Sequence, residues 1–165
     1  MDRGFIESHD RPTVAVGDGV LHMYGSDPGC ETVAHFGENS FISYRMKVEN
    51  QSGTVQVAFL WYNNEGNDYG QYIDIPPAAS IGWETHVNGS TVDSGGTSTT
   101  VSQGLWHEVD VLLYEGQFSF YFNGSEIIDT SLHPDVIQKG PMFFLSLDSD
   151  FYIDDLKIIT FKKLE

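Results

Sequence analysis

The sequence predicts an all-β fold built as a two-sheet antiparallel β-sandwich. Three observations support this prediction: strand-length segments follow one another along the whole chain, recognised turn signals separate them, and several segments alternate apolar and polar residues. About twelve short strands with no convincing helix are typical of a sandwich or a barrel.

The strand segments are separated by turn pairs such as Asn88-Gly89, Glu115-Gly116 and Asn123-Gly124. Glycine and asparagine tolerate the left-handed backbone conformation that tight turns require. The predicted strands are Val20–Tyr24, Thr32–Phe36, Phe41–Glu49, Thr54–Tyr62, Tyr69–Ile75, Ile81–Asn88, Val92–Val101, Trp106–Tyr114, Phe118–Phe122, Glu126–Asp129, Met142–Leu147 and Phe151–Phe161.

Alternation within these segments predicts which side chains face the core. In Phe41–Glu49 the inward set is Ile42, Tyr44, Met46 and Val48. In the next strand it is Val55, Val57, Phe59 and Trp61, and in the later hairpin it is Phe118, Phe120 and Phe122. The one helical candidate is a single turn around His133–Gln138, with Pro134 suited to its first position.

Length and composition predict one soluble domain over residues 1–165. The 165 residues suit one sandwich, and hydrophobic residues make up 40% of the chain. No apolar run reaches the roughly 18 residues needed to span a bilayer. The final Leu164-Glu165 resembles a cloning remnant, and no signal peptide is visible.

The charge balance argues against nucleic-acid and membrane partners. Lys and Arg total 8 against 24 Asp and Glu, which gives a formal net charge of −16 at pH 7. Such a surface repels phosphate groups, and no basic cluster interrupts it. Because Cys30 is the only cysteine, no disulfide can form within the chain, and the redox compartment cannot be inferred from it.

Four stretches in order resemble the concanavalin A-like lectin/glucanase superfamily, and they span nearly the whole chain. They are Val14–Leu21 with its Gly-Asp-Gly turn, Phe41–Val48, the hairpin from Gly104-Leu105-Trp106-His107 to Phe120–Gly124, and Phe151–Ile158 with its Asp-Asp pair. The resemblance implies a jelly roll of two curved antiparallel sheets, with a ligand bound on the concave sheet or its rim loops. The superfamily includes enzymes, lectins, laminin G-like domains and carbohydrate-binding modules, so fold alone does not choose a function.

The catalytic motif of retaining glucanases on this fold is incomplete. That motif is Glu-x-Asp-x-x-Glu, which sets the two carboxyl groups about 5 Å apart. Glu108-Val109-Asp110 begins it, but Leu113 stands where the second glutamate belongs. The sequence therefore favours binding over cleavage. A hydrolase or lyase with an atypical set, such as Asp74, Glu84 and His86, remains an alternative, as does a laminin G-like interaction module.

Aromatic and amide or carboxylate side chains mark a candidate sugar-binding face. Sugars present apolar C–H faces ringed by hydroxyls, so a binder needs aromatic rings beside hydrogen-bonding groups. The richest supply lies between Trp61 and Asp74, where two aromatic strands flank an acidic loop. The candidate residues are Tyr62, Asn64, Tyr69, Tyr72, Asp74, Glu84, His86, Arg45 and Tyr121.

A structural Ca²⁺ is the one predicted cofactor. Many modules of the kind that the chain resembles hold Ca²⁺ between the opening loops and the last strand, and Ca²⁺ prefers six to eight oxygen ligands. Asp154 or Asp155 matches the family's ligand position, since adjacent strand residues face opposite ways, and Glu7, Asp10 or Asp27 offers the N-terminal partner. We expect an extracellular or cell-surface module of a larger protein, with a polysaccharide or oligosaccharide as its partner.

Overall fold

The chain forms two antiparallel β-sheets that pack face to face. The computed structural model describes residues 5–7, 14–17, 19–25, 29–32, 34–136 and 140–162, and in 5–7 and 14–17 it describes only the backbone. The strands are β1 Phe5–Glu7, β2 Val14–Gly17, β3 Val20–Met23, β4 Gly29–Thr32, β5 Ser40–Glu49, β6 Val55–Asn64, β7 Asn67–Ile75, β8 Ser80–Val87, β9 Ser90–Thr100, β10 His107–Tyr114, β11 Gln117–Phe122, β12 Ser125–Ser131, β13 Phe143–Ser146 and β14 Asp150–Thr160.

In the described ranges each sheet has seven strands. The front sheet has the order β1-β4-β13-β6-β7-β8-β9, and the back sheet has the order β12-β11-β10-β5-β14-β3-β2. Every pairing is antiparallel. The all-β sandwich predicted from the sequence is confirmed. Strands β1 and β2 were not among the predicted segments.

The inner faces of both sheets meet in one hydrophobic core. In β5 the predicted inward residues Ile42, Tyr44, Met46 and Val48 are all at most 2% exposed. In β11 the predicted apolar face is also confirmed, with Phe118 and Phe120 fully buried and Phe122 at 5%. Each inward position is followed by a partly exposed one, because successive strand residues face opposite sides of a sheet.

Alternation fails at a β-bulge in β6. The register between β6 and β7 shifts between Phe59 and Tyr62, and Leu60 adopts a φ of 55°. Leu60 is therefore fully buried beside Phe59, and Trp61, which the alternation placed inward, stacks instead on Phe143 with ring centroids 4.7 Å apart. The bulge is the physical reason why this inward assignment was wrong.

The predicted helical turn is present as one turn of 3₁₀ helix over Pro134–Val136, with proline in its first position and Val136 buried. Within the described part of the chain, no helix has the length and apolar character needed to cross a membrane.

Candidate functional site

Four of the predicted site residues lie on the outer face of the front sheet. Tyr72 pairs with Ala58 on one side and with Glu84 on the other, and His86 pairs with Gly70. Cross-strand partners point to the same face, and residues two apart along a strand do so as well. Tyr72, Asp74, Glu84 and His86 therefore share one face, opposite the buried Ile73.

His86 is the centre of a hydrogen-bonded group that we call the His86 cluster, made of Asp68, Tyr72, Glu84, His86 and Thr91. The Nδ1 atom of His86 lies 2.9 Å from Asp68 Oδ2, and its Nε2 atom lies 2.8 Å from Glu84 Oε2. Tyr72 donates its hydroxyl to the same Asp68 oxygen at 2.7 Å, and the Thr91 hydroxyl donates to Glu84 at 3.2 Å. The cluster thus joins β7, β8 and β9 across the sheet face.

The electrostatics of the cluster favour a charged imidazole. Partial burial acts to lower the pKa of His86, but the hydrogen bonds to Glu84 and Asp68 outweigh it and raise the pKa above its ordinary value. Burial acts to raise the pKa of Asp68, and the hydrogen bonds from Tyr72 and His86 reverse this and lower it. Because a carboxylate oxygen lies within hydrogen-bonding distance of each ring nitrogen, neither nitrogen of His86 is open to accept a proton from a ligand.

Asp74 lies further along the same face of β7. Gln56 Nε2 donates to Asp74 Oδ1 at 2.7 Å, and Gly82 stands opposite on β8. Burial raises the pKa of Asp74, and the nearby charge of Glu84 acts in the same direction, although the Gln56 hydrogen bond opposes both. The pKa of Asp74 is therefore raised, whereas that of Asp68 on the same strand is lowered.

An aromatic pair lies beside the cluster on the same outer face. Phe143 of β13 pairs with Ala58, which in turn pairs with Tyr72, so these three form one row across the sheet. Trp61 stacks on Phe143 at an interplanar angle of 20°, and both rings are partly exposed. Aromatic surface and hydrogen-bonding groups are thus adjacent.

The ring of Tyr72 is not an open platform. Its side chain faces outward but is only 6% exposed, its ring centroid lies 4.3 Å from that of His86, and its hydroxyl is bound to Asp68. The sequence placed Tyr72 among residues that would contact a ligand directly. The structure instead gives it a supporting position beneath His86 and Asp68.

Tyr62 and Tyr69 lie on the other face of the front sheet, at its end. They are cross-strand partners whose rings stack 4.3 Å apart at 8°. Tyr69 directly precedes Gly70, the partner of His86, so its side chain points away from the cluster. Asn64 is exposed at the β6–β7 turn. The structure does not bring these three residues together with His86.

Arg45 and Tyr121 lie on the back sheet, on the opposite side of the sandwich. Arg45 is on β5 and pairs its guanidinium with Asp154 at 2.5 Å and with Asp155 at 3.1 Å. Tyr121 is on β11, where its cross-strand partner is Asp110. The single sugar face expected from the sequence is therefore divided between two sheets.

The proposed calcium ligands have other contacts. We expected only one of Asp154 and Asp155 to face a given side, but a register shift after Asp154 and a φ of 53° at Asp155 allow both carboxylates to reach Arg45. The side chain of Glu7 and the whole of Asp10 and Asp27 lie outside the described residues. Among the side chains that are described, no group of three or more His, Cys, Asp or Glu could hold a metal ion. The Ca²⁺ site stays a prediction.

Four contributors to this face were missing from the predicted set: Asp68, Thr91, Trp61 and Phe143. Asp68 could have been found, because it lies four residues before Tyr72 and so shares its face by simple alternation. Trp61 could not, since the bulge reverses its direction. Thr91 depends on a second irregularity, a register shift between Thr85 and His86.

The protein resembles known proteins in its structure and not in its sequence. No protein-family model matches the sequence, and no curated protein matches it either. Among solved structures, the carbohydrate binding module CBM66 from Bacillus subtilis superposes with a TM-score of 0.74 at 13% identity, covering 95% of this chain and 96% of that one. The fold is the concanavalin A-like jelly roll.

Two further structures share this jelly roll. A putative glycosyl hydrolase from Parabacteroides distasonis has a TM-score of 0.73 at 16% identity, covering 96% of this chain and 89% of its own. Sheep galectin-11, solved in complex with glycerol, has a TM-score of 0.60 at 12% identity, covering 82% and 98%. At these identities the likeness concerns the fold alone, and the jelly-roll fold expected from the sequence is confirmed.

Proposed function

We propose that the protein is a non-catalytic carbohydrate-binding module that binds its glycan on the outer face of the front sheet. The observation that carries the proposal is the His86 cluster lying directly beside the Trp61–Phe143 stack. The names of its structural neighbours, a carbohydrate binding module, a putative glycosyl hydrolase and a galectin, support a carbohydrate-related function.

The arrangement suits a hydroxyl-rich ligand with an apolar face. The side chains of Glu84 and Asp68 are 39% and 31% exposed, so each has acceptor capacity left for ligand hydroxyls. Their orientation is already fixed by His86, so little side-chain freedom is lost on binding. The partly exposed Trp61 ring offers an adjacent surface for the C–H face of a sugar.

The same geometry supports binding over catalysis. A general base must have a free acceptor within reach of the proton that it abstracts. Both ring nitrogens of His86 already face carboxylates at hydrogen-bonding distance. Leu113 also occupies the position of the second glutamate in the glucanase motif.

A second candidate function, glycoside hydrolysis, is favoured by one observation. Asp74 has a pKa raised by burial and stands on the same face as Glu84. Glycosidases pair a carboxyl group of raised pKa, the general acid, with an ionised one. In this alternative, Asp74 would protonate the leaving oxygen while Glu84 acted as base or nucleophile.

Affinity electrophoresis through gels that contain soluble polysaccharides, combined with a reducing-sugar assay, tests the proposal. We expect retardation without release of reducing ends. Trp61→Ala and Glu84→Gln should each reduce the retardation, whereas Glu126→Gln, a matched change on the distant strand β12, should not. Product release that is lost in Asp74→Asn would establish the hydrolase. If the gels show no retardation and the assay shows no product, both functions are contradicted, and a laminin G-like interaction module is favoured.

We also propose that the module works outside the cell or at its surface, as part of a larger protein, with a polysaccharide as its partner. An acidic surface with a glycan-binding face suits a module that holds a neighbouring domain of the same protein close to the polysaccharide.

A further inference from the structure

A row of rings and cations crosses the outer face of the back sheet, far from the His86 cluster. We call it the back-sheet ladder: His22, Tyr152, Lys47, Trp106 and Arg45. His22 and Lys47 are both cross-strand partners of Tyr152. The His22 and Tyr152 rings stack 4.0 Å apart at 8°. The Lys47 ammonium lies 4.2 Å from the Tyr152 centroid, so each face of Tyr152 has a partner.

The ladder ends at an exposed indole. Trp106 lies just before β10, with the Arg45 guanidinium carbon 5.2 Å and the Lys47 ammonium 5.5 Å from its ring centroid. It is nevertheless 38% exposed, and the neighbouring Leu105 is 59% exposed. The two cation–π contacts fix the orientation of the indole while part of its surface stays in water. An aromatic ring held in place loses little conformational freedom when a ligand stacks on it.

The charges of the ladder are neutralised within the protein. Arg45 pairs with Asp154 and Asp155, and Lys47 pairs with Glu49 at 2.8 Å. Three carboxylates are therefore paired with two cationic side chains. The excess negative charge would repel a phosphate, sulfate or uronate group. An uncharged ligand suffers no such repulsion.

Polar groups and space lie next to the indole, around Arg45. A cavity of about 240 Å³ opens there, lined by Arg45 together with Glu108, Asp110, Asp155 and Lys157. Carboxylate, guanidinium and ammonium groups can accept hydrogen bonds from vicinal hydroxyls and donate to them. A sugar offers such hydroxyls, and an apolar protein surface does not. The combination of a fixed ring and a polar hollow matches a sugar better than an apolar protein partner.

We propose that the back-sheet ladder is a second binding surface for an uncharged glycan, which would make the domain bivalent with one surface on each sheet. This inference rests on the proposed carbohydrate-binding function. It also gives Arg45, a sugar-binding candidate of the sequence analysis, a role on the back sheet that is separate from the His86 face.

Indole N–H signals in a heteronuclear NMR spectrum test the proposal in the unmodified protein. The chain has three tryptophans, Trp61, Trp83 and Trp106, which single Trp→Phe variants assign. The protein is titrated with neutral hexasaccharides that caused retardation as polysaccharides, such as cellohexaose, laminarihexaose or mannohexaose. We expect the Trp61 and Trp106 signals to move, while Trp83, which packs against the core, serves as the internal control.

Calorimetry of the same titration gives the stoichiometry. We expect two sites in the wild type and one in Trp106→Ala, or a second site about 2- to 10-fold weaker if the rest of the ladder still binds. Tyr114→Ala is the matched control, because Tyr114 is also 38% exposed on a back-sheet strand but lies outside the ladder. It should leave both sites intact.

The outcomes separate this inference from the proposed function. Movement of Trp61 alone with one site would overturn the second surface and leave the front-sheet function standing. Movement of Trp106 alone would support the ladder and contradict the front-sheet site. If no signal moves with any sugar, both fail, and the exposed indole is better explained as a protein contact.

Discussion

The Tyr72–Asp68 hydrogen bond gives the sharpest single test of the His86 cluster. The change is Tyr72→Phe, which removes only the hydroxyl that donates to Asp68 Oδ2 at 2.7 Å. Tyr72 is 6% exposed, so water cannot easily replace the lost donor. Hydrogen bonds to charged groups contribute about 1.5–3 kcal/mol, and we expect the lower end, about 1.5 kcal/mol, since Asp68 keeps its contact with His86.

Urea denaturation followed by tryptophan fluorescence at pH 7 measures this loss. A change of about 1.5 kcal/mol should lower the midpoint without altering the slope, and it corresponds to a fall of about 3–6 °C in Tm for a chain of this size. The matched control is Tyr62→Phe, because the Tyr62 hydroxyl donates to the Asp135 carbonyl over a long 3.4 Å. That change should stay within about 0.5 kcal/mol.

The pH dependence of the same difference checks its cause. The pKa of Asp68 is lowered in the folded protein, so its contribution is present above the unfolded value of 3.8 and is lost as pH falls through the folded pKa. The gap between wild type and Tyr72→Phe should therefore shrink in acid. Equal stability of the Tyr72→Phe and Tyr62→Phe variants at pH 7 would refute a stabilising Tyr72–Asp68 hydrogen bond. So would a stability difference between wild type and Tyr72→Phe that does not change in acid.

Three further predictions concern other parts of the molecule. The pKa of His86 is raised, so its contribution to stability is fully present below about pH 6.5 and is lost as pH rises through the folded pKa. The difference in unfolding free energy between wild type and His86→Gln should therefore narrow above about pH 6.5. An NMR titration of the ring should give a midpoint above that value. Gly53→Ala should destabilise by about 1–3 kcal/mol or more, because an added Cβ would lie 2.1 Å from the Leu147 carbonyl oxygen; calorimetric unfolding showing no loss would contradict this close approach. The Cys30 thiol is 1% exposed and lies 3.6 Å from the Met23 sulfur, so a thiol reagent should label it only in denaturant, and fast labelling of the folded protein would refute its burial.

The sheets were predictable from the sequence because most strands alternate without interruption. In β5, inward positions from Ile42 to Val48 follow a strict period of two, and every one is buried. The Asn88-Gly89 and Asn123-Gly124 turns fall where the predicted hairpins required them, with positive φ at all four residues. Local pattern and global fold agree at these points, which is why composition and alternation were sufficient.

The sheet to which each strand belongs is not a local property, and this is why the candidate site was only partly predicted. Alternation correctly places Arg45 and Glu84 on wet faces, but β5 and β8 lie in different sheets. Long-range pairing decides that assignment, through neighbours such as Asp154, which is 109 residues from Arg45. A single sugar face assembled from outward residues therefore merged two separate surfaces.

Irregular positions decide what the two outer faces present. The bulge at Leu60 turns Trp61 outward beside Phe143, and the shift after Asp154 brings a second carboxylate to Arg45. In regular strands, Trp61 would lie in the core and Asp155 would point inward. The front sheet would then lose its partly exposed indole, and Arg45 would keep one partner. Bulges bend a strand and re-aim side chains at the cost of ladder pairing. Their position at both proposed surfaces supports a functional explanation for each, because regular pairing would serve the sandwich alone equally well.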